Sequence, residues 1–177
     1  MNPWIGFFRG INVGGHNVLP MKELKSVLEG IGCSDVATYI QSGNVVFTST
    51  ESRADVLQSN ICRAVKANFG FEPRVLLLSV DQLIAAMAAN PFQAAQDKPK
   101  TLHLYFLAEE ANDIDWNALE SRKSDTEQYR LTGRVFYLHA PDGIGRSKLA
   151  ANVEKLLGVP ATARNWRTVD KVLQLAR

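Results

Sequence analysis

The sequence predicts an α+β protein made of two halves that share the element order βαββαβα. Three observations predict this fold class. Short runs rich in aromatic and β-branched residues alternate with longer runs in which apolar residues recur at helical spacing. In each half, two of the short runs flank a Ser-Gly or Thr-Gly pair that is typical of a hairpin turn. Similar stretches of sequence also recur at a nearly constant distance along the chain.

The first half is predicted to contain four strands and three helices. Pro20 favours the start of the first helix and Gly32 its end, and Gly70 is the expected left-handed residue after the second helix. Ser79 and Gln82 form a capping box at the start of the third helix. The predicted strands are residues 4–9, 36–41, 44–48 and 74–78, and the predicted helices are residues 20–31, 52–69 and 79–89.

The second half repeats this order. A hairpin surrounds Thr132 and Gly133, and Gly158 ends a helix whose apolar residues lie on one side. The predicted strands are residues 102–107, 127–131, 134–139 and 161–165, and the predicted helices are residues 115–121, residues 146–157 and a last helix from residue 168.

Two pairs of segments indicate an internal duplication. Residues 39–47 (YIQSGNVVF) are similar to residues 129–137 (YRLTGRVFY), at an offset of 90 residues. Residues 79–84 (SVDQLI) are similar to residues 168–173 (TVDKVL), at an offset of 89 residues. Matches at nearly one offset are hard to obtain by chance in a chain of 177 residues.

The repeated unit is the βαββαβ arrangement of ferredoxin-like domains. We therefore predict two duplicated ferredoxin-like halves with antiparallel sheets, residues 1–92 and 100–177, joined by a linker at about residues 90–100. Their strands are apolar on both faces, which predicts cover on both faces by the other half or by a second subunit.

Composition excludes several classes of protein. Twenty Lys and Arg residues nearly balance eighteen Asp and Glu residues, so the net charge of +2 favours neither nucleic acid nor membrane, although a local basic cluster is compatible with it. Cys33 and Cys62 lack metal-ligand spacing, and we predict no metal site. No run reaches the ~18 apolar residues of a membrane span. We predict a cytoplasmic protein without membrane contact.

The predicted topology gathers polar, glycine-bearing loops into two clusters. The first strand ends at the same edge of its sheet as the hairpin turn, which brings residues 9–17 beside residues 41–44. In the second half the third and fourth strands exit at a common edge, which brings residues 141–148 beside residues 163–168.

The first cluster fits either an anion site or a long turn. Gly14 and Gly15 let backbone N–H groups approach a ligand, and Arg9 supplies positive charge. The loop matches no nucleotide-binding glycine motif, and a turn with positive φ explains the glycines equally well. Among the polar candidates, Asn12 would complete a site, whereas Gln41 and Asn44 bind a ligand or brace the loop.

The second cluster carries the stronger anion signal. Arg146 and Lys148 fall in the first turn of a predicted helix, where positive charge opposes the helix dipole by ~0.3–1 kcal/mol each. Gly145 and the Ser147 hydroxyl complete a pattern typical of an anion site. Alternatively, both cations extend into solvent or pair with nearby acids.

Arg164, Asn165 and Trp166 stand where the first half has an apolar run. The fold alone therefore does not require polar residues there, and a ligand would explain them. The alternative is that Trp166 packs in the core and the arginines lie at the surface.

The sequence contains no catalytic arrangement that spacing can support. His16, His103 and His139 occupy unrelated places, and a satisfied structural role is expected for the last two, which lie on strands. No Ser/His/Asp, Cys/His or paired-carboxylate pattern is present. We identify no catalytic residue and no cofactor, and whether the protein is an enzyme stays open.

Four segments, residues 9–32, 38–47, 143–149 and 162–169, closely resemble the bacterial family known as the domain of unknown function 1697. The resemblance spans almost the whole chain. It implies a bacterial, mostly stand-alone cytoplasmic α+β protein built from ferredoxin-like parts, and it implies no activity. It marks the candidate residues as family features without giving any of them a role.

The leading hypothesis is a protein that binds a phosphorylated or otherwise anionic ligand, such as a nucleotide, a phosphometabolite or the end of a nucleic acid. The predicted charge contacts are Arg9, Arg146, Lys148 and Arg164. The competing hypothesis is a protein–protein module or homodimer in which the apolar sheets and the Trp166 region form the interface. An enzyme that acts on a phosphate-bearing substrate is the third.

Overall fold

The computed structural model describes residues 1–177 and contains eight strands and six α-helices. The strands are β1 (Asn2–Arg9), β2 (Ser34–Tyr39), β3 (Asn44–Ser49), β4 (Arg74–Ser79), β5 (Leu102–Leu107), β6 (Gln128–Thr132), β7 (Val135–His139) and β8 (Ala161–Asn165). The helices are α1 (Met21–Gly30), α2 (Ala54–Phe69), α3 (Val80–Ala88), α4 (Trp116–Arg122), α5 (Val153–Leu157) and α6 (Trp166–Leu175).

These elements form two four-stranded antiparallel sheets. The strand order is β2-β3-β1-β4 in the first sheet and β6-β7-β5-β8 in the second, so the same order of connection occurs twice. The α+β class with two similar halves and antiparallel sheets is confirmed. The ferredoxin-like assignment and the internal duplication stay predictions.

The chain divides into two compact units, residues 1–85 with 170–177, and residues 86–169. The boundaries fall within α3 and α6. The domain limits proposed from the sequence stay a prediction.

The central strand of each sheet is buried on both faces. In the first unit, Trp4 and Phe8 of β1 pack in one apolar cluster with Leu24 of α1 and Ile61 of α2. On the opposite face of β1, Phe7 is fully buried. In the second unit all six residues of β5 are buried. The doubly apolar pattern of these strands therefore corresponds to cover on both faces, as the sequence predicts.

Local signals set most of the element boundaries. Ser79 and Gln82 exchange two hydrogen bonds at the start of α3, in which each side chain accepts from the other's backbone N–H at 3.1 and 2.8 Å, so the predicted capping box is confirmed. Gly70 ends α2 in the left-handed conformation with φ +77°. Asp115 caps α4 by accepting from the Ala118 N–H at 2.9 Å.

The predicted helix over residues 146–157 is wrong in its first half. A 3₁₀ turn at Ile144–Arg146 and another at Ala150–Asn152 precede α5, which has only five residues. Side chains interrupt the helix, because the Ser147 hydroxyl accepts from the Ala150 N–H and the Asn152 amide donates to the Lys148 carbonyl. The last helix also begins two residues earlier than predicted, at Trp166.

None of the helices has the length and apolar character needed to cross a membrane. Likewise, residues 1–177 hold no group of three or more His, Cys, Asp or Glu side chains that could bind a metal ion.

The turn between β2 and β3 depends on the absence of a side chain at Gly43. This residue has φ +76°, and an added Cβ would lie 2.5 Å from Phe8 Cβ and 2.6 Å from Ile11 Cδ1. Gly133, in the corresponding turn of the second sheet, also has positive φ (+54°) but no atom within 4 Å of an added Cβ.

We expect Gly43→Ala to lower the free energy of unfolding by about 2–5 kcal/mol, because a strained backbone conformation and a steric clash add together. Gly133→Ala, the matched control, should lose only the conformational part, about 1–2 kcal/mol. Urea denaturation of both variants measures the difference. Equal losses in the two variants would contradict the close approach at Gly43.

Candidate functional site

One end of the second sheet gathers three segments that are distant in the sequence. The register pairs the ends of β7 and β8 with the start of β5, as the topology predicts. The backbone N–H of Ala140 donates to the Thr101 carbonyl at 2.8 Å, and the N–H of Arg167 donates to the Pro99 carbonyl at 3.4 Å. We call this region the basic end and define it as residues 97–101, 140–148 and 164–168.

The basic end concentrates positive charge. It contains six basic and two acidic residues, whereas the whole chain has a net charge of +2. Of the two acids, Asp142 already accepts a hydrogen bond from the Thr126 hydroxyl at 2.7 Å. The basic residues are Lys98, Lys100, Arg146, Lys148, Arg164 and Arg167, and all except Arg164 are exposed.

The four predicted site residues from Gly145 to Lys148 lie in the loop that follows β7. Arg146 and Lys148 are exposed, and Arg146 belongs to a 3₁₀ turn that precedes the capping residue Ser147. Neither residue occupies the first turn of an α-helix, because α5 begins only at Val153. The proposed conflict between these cations and a helix dipole is therefore wrong, and their contribution is their charge alone.

The three predicted site residues at the exit of β8 make contacts within the fold. Asn165 caps α6 by accepting from the Thr168 N–H through Oδ1 at 2.9 Å. Trp166 is buried. Arg164 is half-buried, and its Nη1 donates to the Ala163 carbonyl at 2.8 Å. Burial lowers the pKa of Arg164 to about 10, so this guanidinium still carries its charge at neutral pH.

Sequence reasoning missed two cations of this region, Lys98 and Lys100. They lie in the segment taken as a linker, and only the pairing of β5 with β7 and β8 brings them beside Arg167 and the 140–148 loop. Two lysines flanking a proline are a weak signal in a sequence, because surface charge is common. Only the pairing register of the second sheet shows that these two lysines belong to the basic end.

His103, the second residue of β5, lies opposite Asn165 and has a buried nitrogen without a partner. Its side chain is 6% exposed, and Nδ1 has no hydrogen-bond partner. Burial lowers the pKa of His103 to about 4, against a smaller opposing effect of a backbone hydrogen bond at Thr101. The imidazole is consequently neutral at physiological pH.

The first loop cluster is a short hairpin beside the β2–β3 turn. Val13 and His16 form an isolated antiparallel bridge, and the His16 N–H donates to the Val13 carbonyl at 3.0 Å. Gly14 and Gly15, with φ +57° and +77°, form the two-residue turn between them. The turn interpretation of these glycines thus has a direct structural basis.

Asn12 connects the two segments of this first cluster. Its Nδ2 donates to the Leu19 carbonyl at 2.9 Å and to the Gln41 carbonyl at 2.8 Å, while its Oδ1 accepts from the Leu19 N–H at 2.8 Å. Asn44, fully buried, donates through Nδ2 to the Tyr39 carbonyl at 2.9 Å and to the Ser42 hydroxyl at 3.0 Å. Both asparagine side chains therefore hold the loops in place.

Arg9 ends β1 and lies directly opposite Arg74, the first residue of β4. The sequence analysis did not single out Arg74. Like charges at directly opposite positions of an antiparallel pair repel each other. The first cluster belongs to the first unit and the basic end to the second.

The neutral state of His103 makes the stability of the fold depend on pH. Its folded pKa of about 4 lies below the ordinary value of 6.5, so the unfolded chain binds the proton first as the pH falls. The contribution of the neutral ring to the free energy of unfolding is fully present above pH 6.5. It falls by up to about 3 kcal/mol as the pH approaches 4. We expect the free energy of unfolding of His103→Gln, measured by urea denaturation, to fall much less between those two pH values.

The exposed His16, replaced as His16→Gln, is the matched control and should retain the slope of the original protein. An unchanged slope in His103→Gln would show that the imidazole is protonated normally in the folded chain.

Comparison with known proteins places the chain in a family. The sequence model for the family described as "Protein of unknown function (DUF1697)" matches residues 1–137, which includes the first loop cluster and excludes residues 140–168. None of the curated proteins compared with this chain matches it. The solved structure of the conserved bacterial protein SP0830 from Streptococcus pneumoniae has 26% sequence identity and a TM-score of 0.70, with 99% of each chain covered. The chain belongs to this DUF1697 family, as its signature segments predict.

Proposed function

We propose that this protein binds a phosphate-bearing anionic ligand at the basic end of its second unit. One observation carries the proposal. Three segments at one end of the sheet contain six basic and two acidic residues, although acids and bases nearly balance in the chain as a whole. The remainder of the chain is therefore slightly acidic, and the excess of positive charge is local.

The chemistry of the cations supports a ligand with more than one negative charge. Arg146 and Arg167 offer planar guanidinium groups that suit two-point contact with phosphate oxygens, and Lys98, Lys100 and Lys148 act as point charges. All five side chains are exposed. Because they come from three segments, a single small anion would engage only some of them. A diphosphate, a nucleotide or the end of a nucleic acid would engage more.

This proposal revises the set of charge contacts derived from the sequence. Arg146 and Lys148 are retained, and Lys98, Lys100 and Arg167 are added. Arg9 belongs to the first unit, and Arg164 is half-buried with a backbone contact, so the proposal requires neither. Asn165 and Ser147 cap helical turns through the same oxygens that a ligand would contact.

The burial of the sheet faces and of Trp166 favours the anion-binding proposal over the competing hypothesis of an interface built from them. The strands concerned are buried within the single chain, and Trp166 is 9% exposed. A partner would need a different surface. We also assign no catalytic residue.

We expect tripolyphosphate to raise the melting temperature of the full chain beyond the effect of sodium chloride at matched ionic strength. The double variants Lys98→Ala/Lys100→Ala and Arg146→Ala/Lys148→Ala should each weaken binding by tenfold or more, about 1.4 kcal/mol, because each removes two charge-assisted contacts. Calorimetric titration measures the affinity. Urea denaturation should find nearly unchanged stability, because the side chains are exposed.

Lys22→Ala/Lys25→Ala on α1 is the matched control, with the same loss of charge on exposed positions of the first unit. Its affinity for tripolyphosphate should equal that of the original protein. The proposal fails if this control weakens binding as much as the other double variants, or if tripolyphosphate acts no differently from chloride. Titrations with nucleotides and short RNA then rank the ligand classes.

A further inference from the structure

Two half-buried rings lie in contact beside the basic end. The ring centroids of Phe92, which follows α3, and His139, the last residue of β7, are 6.0 Å apart at an interplanar angle of 37°. Both side chains keep part of their surface in solvent. We call these two residues the aromatic pair. The solvent-facing part of such a pair is a surface against which another flat ring can stack.

Backbone pairing places Lys98 of the basic end next to the aromatic pair. His139 lies opposite Leu102 in the sheet. The N–H of Ala140 donates to the Thr101 carbonyl, and the Thr101 N–H donates to the Lys98 carbonyl, both at 2.8 Å. Partial burial and then the charge of Lys98 lower the pKa of His139, so the exposed ammonium group acts on the imidazole. A phosphate group held by Lys98 would therefore lie beside the rings.

The solvent face of the edge strand β6 adds polar groups next to the aromatic pair. Gln128 lies directly opposite His139, and Arg130 follows on the same face of the strand. Both residues are exposed, and neither side chain has a hydrogen bond or an ion pair within the chain. The ring nitrogens of His139 are also without a hydrogen-bond partner. Because an amide donates and accepts at once, Gln128 suits the edge of a heterocyclic base.

A buried asparagine fixes the backbone that carries Phe92. Asn90, which is 3% exposed, accepts from the Phe92 N–H through Oδ1 at 3.0 Å and donates through Nδ2 to the Phe92 carbonyl at 3.3 Å. The Gln93 amide donates to the Asn90 carbonyl at 2.7 Å. One side chain therefore holds both backbone groups of Phe92. A ring on such a fixed backbone loses little freedom when a ligand binds, which favours affinity.

We propose that the ligand of the basic end is a nucleotide unit, with its base against the aromatic pair, the edge of the base at the Gln128 amide and its phosphates at the cations. This inference rests on the proposed phosphate binding and adds the class of ligand. Phosphate alone requires only cations, whereas aromatic rings next to cations are the combination that proteins use for unpaired bases. A free nucleotide and the unpaired end of a nucleic acid share this chemistry. A duplex fits poorly, because its bases are already stacked on each other.

Calorimetric titration of the full chain with ATP and with tripolyphosphate, at one ionic strength, separates the base from the phosphates. Tripolyphosphate carries at least as much negative charge as ATP, so charge alone predicts that it binds equally well or more tightly. We expect ATP to bind about tenfold more tightly or more, because its base stacks on the rings. Ribose 5-triphosphate, which lacks the base, should bind like tripolyphosphate. Equal affinities of ATP and ribose 5-triphosphate would overturn the base contact.

Two variants test the proposed contacts. Phe92→Leu/His139→Leu removes the flat rings and keeps apolar volume, so ATP should lose most of its advantage over tripolyphosphate while the affinity for tripolyphosphate stays unchanged. Gln128→Ala, at an exposed position that does not affect packing, should weaken ATP alone by about fivefold or more. Tyr129→Leu, at a half-buried aromatic residue on the other face of β6, is the matched control and should keep the full advantage of ATP. An advantage retained in both test variants would overturn the proposal.

A short single-stranded RNA with a 5′ triphosphate identifies the source of the base. Tighter binding of this RNA than of ATP would assign the site to the end of a nucleic acid, and weaker or equal binding would assign it to a free nucleotide; both results support the proposal. If ATP binds no better than tripolyphosphate, and both depend on Arg146 and Lys148, the nucleotide inference fails and phosphate binding stands. If neither ligand acts differently from chloride, phosphate binding itself fails and the inference fails with it.

Discussion

The pairing of the central strands β1 and β5 on both sides determines which loops become neighbours. β5 pairs with β7 and with β8, and both of these strands end where β5 begins. The segment before β5 is therefore held between the loop after β7 and the start of α6. A shift of one residue in this register would turn every side chain of β5 to the opposite face and would break the pairing of its start with the ends of β7 and β8. The basic end exists because that register is fixed.

The same constraint has a different result in the first unit. There the end of β1 meets the β2–β3 turn, and the Phe8 N–H donates to the Gly43 carbonyl at 2.7 Å. Short amide side chains fix the loops, since an asparagine can donate and accept toward backbone groups at once. At the basic end, long flexible cations extend into solvent instead. The first unit thus has loops held by side-chain hydrogen bonds, and the second presents exposed positive charge.

The sequence predicted the elements well because local rules control them. The bounds of β5 and β8, the left-handed Gly70 and the capping box at Ser79 all follow from hydrophobic periodicity and cap chemistry. The helix predicted from residue 146 failed because Ser147 and Asn152 bind backbone groups that a continuous helix would use. Apolar spacing alone cannot reveal such local competition.

The candidate sites were less predictable than the fold, for a physical reason. Asn12, Asn44 and Asn165 are candidates for ligand contact in the sequence, with bracing the loop as the alternative for Asn44, and each satisfies backbone groups of its own loop or helix. Small polar residues in loops usually have this role, because a buried backbone N–H or C=O group without a hydrogen-bond partner destabilises the fold. Lys98 and Lys100 could not be assigned, since their neighbours are more than forty residues away along the chain.

The buried His103 limits how the basic end can respond to acidity. Its imidazole is buried, and protonation would put a charge where desolvation lowers the pKa of the ring to about 4. Partial burial and the nearby Lys98 also lower the pKa of His139 at the same edge of the sheet. Neither histidine therefore adds positive charge at neutral pH, and the charge of this end comes from its lysine and arginine residues. A phosphate monoester, whose second pKa is about 6, changes charge in that range. Any dependence of its affinity on pH near neutrality would accordingly arise from the ligand, whereas a fully ionised phosphodiester would bind with nearly constant affinity.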